Sequence, residues 1–184
     1  MESNPAIGLI ETSNIVRGIE AADAMLKAAD VSLMLNRSVC SGKYVVLVQG
    51  DVGAVRSSVA AGAEVAADAL VDEMVIPHVH PSVLPALGNV TQPGALDALG
   101  IVETFSVATL LEAADGAAKT SPIDIMEMRL AMALGGKAFL TFTGQLAAVT
   151  AAVDSAASVA RAKGLLVDTT VIANPRPEIV RDLI

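Results

Sequence analysis

Gly8-Leu9-Ile10-Glu11-Thr12 and Gly100-Ile101-Val102-Glu103-Thr104 are near copies of each other, separated by 92 positions. At the same separation Ala21-Ala22-Asp23 falls on Ala113-Ala114-Asp115, and Lys27 on Lys119. Gly42-Lys43 and Gly50 then match Gly136-Lys137 and Gly144 at 94. Asp72, Val75, Ile76 and Pro81 match Asp168, Val171, Ile172 and Pro177 at 96. The offset grows by two residues twice, as short loop insertions make it do. A chain of 184 residues therefore reads as two successive copies of one unit of about 90 residues. The boundaries expected are a first domain over 1–88, a linker over 89–97 and a second domain over 98–184. Gly88 at the end of the first domain, with Pro93 and Gly94 in the linker, is the Gly and Pro punctuation that separates folded units.

Each copy reads in the same order. Ala6 to Glu11 is a short apolar run that ends at Thr12 and Ser13, residue types that cap helices. The stretch Ile15 to Ala28 sets Ile15, Ile19, Ala22, Met25 and Leu26 at helical spacing and predicts an amphipathic helix. Val31 to Val39 and Tyr44 to Val48 are β-rich and joined through the turn-like Cys40-Ser41-Gly42. Asp51 opens a second helix to about Ala67, with Val55, Val59, Ala63 and Ala66 as its apolar positions, and Val71 to Ile76 is a last strand. A short helical turn follows Pro81. The resulting β-α-β-β-α-β order is the ferredoxin-like arrangement, an α+β fold within the broader α/β class, here in tandem. Both helices are expected on one face of the sheet.

Composition narrows the function classes. Hydrophobic residues make up 53% and charged residues 17% of the chain, with no Trp and one Tyr. Ordinary domains carry roughly 25% charged residues, so part of this surface is expected to be covered by neighbouring subunits. A membrane span is not expected, because Met74 to Leu96 is broken by two His and four Pro, and Ala138 to Val153 by Gly, Gln and Thr. Met1 opens no secretory leader pattern. A single Cys makes no internal disulfide and fits a reducing cytoplasm. The net charge of −8 with twelve scattered Lys and Arg argues against a nucleic-acid partner.

The motifs resemble the bacterial microcompartment shell domain. In that family a Gly-x-x-Glu-Thr strand leads into a helix ending Glu-Ala-Ala-Asp-Ala-Met-x-Lys-x-Ala. This chain has Glu20-Ala21-Ala22-Asp23-Ala24-Met25-Leu26-Lys27-Ala28, and Gly50 to Val55 reproduces the family's Gly-Asp-Val-Gly-Ala-Val helix start. The resemblance covers both halves. It implies a structural protein of the microcompartment shell in the bacterial cytoplasm. Single-domain members form hexamers, and tandem members form homotrimers that imitate a hexamer, since two units per chain need three chains to close a six-fold ring. The similarity is strongest to tandem members of propanediol-utilisation shells, which carry a Cys in the first-domain pore loop and are associated with a 4Fe–4S cluster.

Cys40 occupies that loop position, with Leu134 as its second-domain counterpart; the residue after it is Ser41, where cluster-bearing relatives carry Pro. Three thiolates meeting on a trimer axis suit one 4Fe–4S cluster per trimer, with the fourth iron left to another ligand. They also suit Zn²⁺, and a lone Cys is ordinarily a small hydrophobe without chemistry. The resemblance further implies Val39, Cys40, Ser41 and Gly42, with Leu134, Gly135 and Gly136, as pore-lining residues. Lys27 and Lys119 fall on the family's tile-edge lysine, and Arg176 on its edge arginine, where the first copy has His80. The partners implied are the chain itself, neighbouring tiles and a lumenal or cytosolic redox protein.

Other candidates carry less chemistry. His78 and His80 form a His-x-His pair without a visible third ligand. Glu11, Glu103, Asp23 and Asp115 recur in both copies, which fits a structural role at strand–helix junctions better than acid–base work. No Gly-x-Ser-x-Gly, phosphate-cradling Gly-rich loop or His-Glu-x-x-His is present, so catalysis is not expected. Three readings follow: a shell tile with a Cys40 cluster that relays electrons, an open-pore tile that passes polar metabolites, and a ferredoxin-like regulatory domain that binds a small ligand.

Overall fold

In the computed structural model, residues 5–88, 96–132 and 134–180 are described. The first copy runs β1 (Ala6–Thr12), α1 (Ile15–Ala28), β2 (Ser32–Ser38), β3 (Tyr44–Gly50), α2 (Val52–Ala66), β4 (Leu70–Ile76) and a short α3 (Val83–Leu87). The second repeats it as β5 (Ala98–Thr104), α4 (Val107–Thr120), β6 (Asp124–Arg129), β7 (Ala138–Gly144), α5 (Leu146–Ala162), β8 (Leu166–Ala173) and α6 (Pro177–Val180). Each copy forms one four-stranded sheet, in the orders β2-β3-β1-β4 and β6-β7-β5-β8. All pairings are antiparallel. This is the ferredoxin-like α+β topology, present twice. The linker expected over 89–97 falls mostly on 89–95, outside the described residues.

The chain forms two compact units that do not follow the sequence copies strictly. The first comprises Met1–Val79 with Ser106–Ala108 and Ala131–Gly136, and the second comprises His80–Phe105, Thr109–Leu130 and Lys137–Ile184. In the first unit the core holds Ile10, Met25, Val46, Val48, Val55 and Val59, all buried. Close approach of the layers depends on glycine. A Cβ on Gly62 of α2 would stand 2.4 Å from the Ile10 side chain and 2.6 Å from that of Met25. In the second unit a Cβ on Gly100 would meet the Phe142 ring at 2.4 Å.

Two local expectations are corrected. Helix α1 buries Gly18, Ala21, Ala22 and Met25, while Ile15, Ile19 and Leu26 of the expected apolar face are exposed, as is Val16. At Gly18 the helix packs close to the sheet: a Cβ there would lie 2.4 Å from the Tyr44 Cβ. The cap of α1 is Asn14, whose side chain accepts from the Arg17 N–H at 3.0 Å, rather than Thr12 or Ser13. Thr12 instead donates its hydroxyl to the Asn14 carbonyl at 2.9 Å. The Ser13 N–H is taken by the Ala69 carbonyl at 2.8 Å.

Candidate functional site

The loop between β2 and β3 is a short 3-10 turn over Cys40–Gly42. It closes on itself through the Val39 N–H, which donates to the Lys43 carbonyl at 2.9 Å. Ser41 has φ 60° and Gly42 φ 77°. The second-copy loop repeats this geometry with Gly135 at φ 60° and Gly136 at φ 85°, which aligns Cys40 with Leu134. Strand register places the first two-residue offset inside this loop. Arg37 opposite Val45 corresponds to Arg129 opposite Phe139, so the separation is 92 before the turn and 94 after it.

All seven expected pore-lining residues belong to the first unit. There the Cys40 N–H donates to the Ala131 carbonyl at 2.8 Å. The loops approach so closely that a Cβ on Gly136 would stand 2.6 Å from the Ser41 Oγ. Val39 and Gly136 are buried, Cys40 and Leu134 half-buried, and Ser41, Gly42 and Gly135 exposed. The left-handed φ of Ser41 also bears on the residue that follows the Cys. Proline locks φ near −65° and cannot adopt this turn, so the loop differs in backbone from one that carries Pro there.

A buried ion pair supports the loop from below. The Glu11 carboxylate, fully buried, accepts from the Lys43 Nζ at 2.9 Å on one oxygen and from the Val107 N–H at 2.7 Å on the other. Lys43 also donates to the Gly136 carbonyl at 3.2 Å. One lysine thus ties the strand end to the loop. Ser106, just before α4, donates its hydroxyl to the Asp72 carboxylate. Glu11 stands at the strand–helix junction expected of it, and its partners lie 32 and 96 positions away, beyond the reach of any local pattern.

The expected edge residues make local pairs of their own. Lys27 pairs with Asp23 at 2.6 Å on the exposed side of α1. Lys119 pairs with Asp115 at 2.6 Å, and Asp115 also accepts the His80 N–H at 2.8 Å. Arg176 donates to Glu178 at 3.0 Å in an exposed pair. That bond holds the Glu178 carboxyl below the usual glutamate value, with a smaller contribution from its own backbone N–H. His80 is 2.8 Å from the Ser82 hydroxyl through its Nδ1, while His78 sits at φ 57°. Among the described residues no three His, Cys, Asp or Glu side chains gather as a metal site. Ser13, Asn14, Arg17 and Asp68 line an open hollow in the first unit. Among the described residues no helix is long and apolar enough to cross a membrane.

Residues 6–79 and 98–175 each match the BMC domain. The chain belongs to the BMC domain family as a tandem, two-domain bacterial microcompartment shell protein. It is 41% identical over 179 residues to the bacterial microcompartment shell protein PduT of Citrobacter freundii, covering 97% of each chain. A carboxysome shell protein, CsoS1 of Prochlorococcus marinus, is 48% identical over 87 residues, 46% of this chain and 84% of that one. Among solved structures, a microcompartment protein from Desulfitobacterium hafniense DCB is 50% identical with a TM-score of 0.85, covering 96% of this chain and 98% of that one. The fused permuted hexameric shell protein MSM0275 from the RMM microcompartment shares the fold at 18% identity and TM-score 0.67, over 88% of this chain and 84% of that one.

Proposed function

We propose that three copies of this chain close into a flat, six-cornered, non-enzymatic tile of the microcompartment shell, with three Cys40 thiolates around its centre holding one 4Fe–4S cluster. The observation that carries this reading is the close approach of the Cys40–Gly42 turn to Gly136 within one chain, seen in the 2.6 Å that would separate a Gly136 Cβ from the Ser41 Oγ. Two equivalent loops from each of three chains give six loops around one axis. The low charge and the exposed apolar residues of α1 support a surface that neighbours cover. Lys27, Lys119, His80 and Arg176 then lie toward the seams with adjacent tiles.

The donor set fits a cluster only in the assembly. Each chain supplies one thiol, whereas three thiolates match three irons of the cube and leave the fourth to an outside ligand. Such a cluster would supply one-electron transfer between lumen and cytosol, and its redox partner would approach the tile centre. Leu134 alternates with Cys40 and offers no ligand, so the site holds three protein ligands rather than six. Exposed Ser41 and Gly42 favour a second reading, an open pore for polar metabolites.

Anaerobic purification followed by iron and sulfide analysis tests the choice. The cluster reading predicts brown protein with about four irons per three chains, and loss of iron in Cys40→Ala with the trimer retained. Protein that stays colourless after reconstitution removes the cluster and leaves the open-pore tile.

A further inference from the structure

Lys43 stands at the foot of the turn that carries Cys40, where its carbonyl takes the Val39 N–H. Its Nζ donates to the Gly136 carbonyl at 3.2 Å and to the Glu11 carboxylate at 2.9 Å. The space beside Gly136 joins it to the cysteine. A Cβ on Gly136 would stand 3.5 Å from the Lys43 Cε and 3.6 Å from the Cys40 carbonyl oxygen. The Lys43 side chain is 17% exposed, whereas its second-copy equivalent Lys137 is 39% exposed in its pair with Glu103. A packed apolar pair would hold the loop about as well as a buried ion pair does. What the ion pair adds is a fixed field.

We infer that Lys43 sets the reduction potential of the Cys40 site, raising it by holding a largely desolvated positive charge beside the loop that carries the thiolate. This rests on the cluster proposed above and names the residue that tunes it. A thiolate-held cluster gains one negative charge on reduction, and a nearby cation favours that state. Lys43 acts through space and is not a ligand. The ammonium is the end of the ion pair bonded to the loop, through Gly136, while the second Glu11 oxygen is held by the Val107 N–H at 2.7 Å. Little solvent reaches the pair, so salt screens it weakly. At roughly 7 Å and an effective dielectric constant near 20, a unit charge changes the ratio of reduced to oxidised sites by about fiftyfold. The Glu11 carboxylate opposes this by about fivefold from its greater distance, which leaves a net effect of about tenfold.

The test is a dye-mediated redox titration of the iron-reconstituted full chain, with dithionite as reductant and electron paramagnetic resonance as the readout. Iron content and far-UV circular dichroism are measured on every variant. Lys43→Gln removes the charge and keeps a donor. It should retain iron and lower the midpoint by about tenfold or more in the reduced-to-oxidised ratio, where tenfold is 59 mV for one electron. Glu11→Gln should raise the midpoint by about fivefold, and the double variant should fall between the two singles. Opposite shifts from the two ends of one ion pair are the mark of a field, since a loosened loop would move both variants the same way. An unmoved midpoint in Lys43→Gln that still holds iron, or a lowered one in Glu11→Gln, would overturn the role of Lys43 alone. Should Lys43→Gln not hold iron, Glu11→Gln decides: a raised midpoint supports the field and an unchanged one overturns it. A reconstituted wild type without iron would overturn the cluster reading and this inference with it.

Discussion

The Glu11 carboxylate receives the Val107 backbone N–H at 2.7 Å while its other oxygen holds Lys43 at 2.9 Å. Removing a buried partner strands the remaining charge. Glu11→Ala should therefore cost about 3 kcal/mol, near the lower end for a broken buried pair because Lys43 keeps some solvent access. Urea unfolding checks this, with a large drop in the midpoint expected and an unchanged midpoint contradicting it. Glu103→Ala, with a more exposed pair, should barely move the midpoint of the dissociated chain.

Gly18 sets the distance between α1 and the sheet. A Cβ there would overlap the Tyr44 Cβ at 2.4 Å and its ring at 2.5 Å, and neither atom is the far end of a flexible chain. Ala is the better helix former by about 1 kcal/mol, but overpacking costs about 1–3 kcal/mol. Gly18→Ala should be destabilising on balance, seen as a lower melting temperature. A higher one would show that the layers can separate.

Ser41 occupies the left-handed region at φ 60°, which disfavours a side chain by roughly 1–2 kcal/mol. Ser41→Gly should be neutral or stabilising, and Ser41→Pro should disrupt the turn that the Val39 N–H closes onto Lys43. Amide exchange at Val39 reads this directly: protection is retained in the glycine variant and lost in the proline variant. Equal protection in both would refute the turn geometry.

Arg176 and Glu178 pair on the surface, and the bond lowers the Glu178 carboxyl pKa while raising that of the guanidinium. A lowered carboxyl pKa means that the pair contributes above the ordinary glutamate value and fades as pH falls through the lowered one. In an NMR titration Glu178 should titrate below an ordinary glutamate, and Arg176→Ala should move it back up. An unshifted Glu178 in the wild type would show that the pair does not persist in solution.

The tandem repeat and the element order were legible because apolar runs, helical spacing and Gly punctuation recur in register. The two boundaries of α1 could be read directly as Ile15 and Ala28. Its buried face could be read only in part: Ala22 and Met25 are buried as expected, but bulky Ile15, Ile19 and Leu26 outweigh Gly18 and Ala21 in any periodicity. A helix with two apolar sides does not state which one meets its own sheet. The Cys40 loop was legible as a turn, but its positive φ at a serine was not, since Ser carries no strong signal for that conformation. The Glu11 partners were hidden by sequence distance. Lys43 and Val107 become its donors only after strand pairing brings them near.

Sedimentation of the purified chain, with iron measured in the same fractions, distinguishes a three-chain tile with a shared cluster from a lone chain. A single species of three times the 18.7 kDa chain mass is expected, whose iron depends on Cys40 while its mass does not. A stable 18.7 kDa species at micromolar concentration would contradict it.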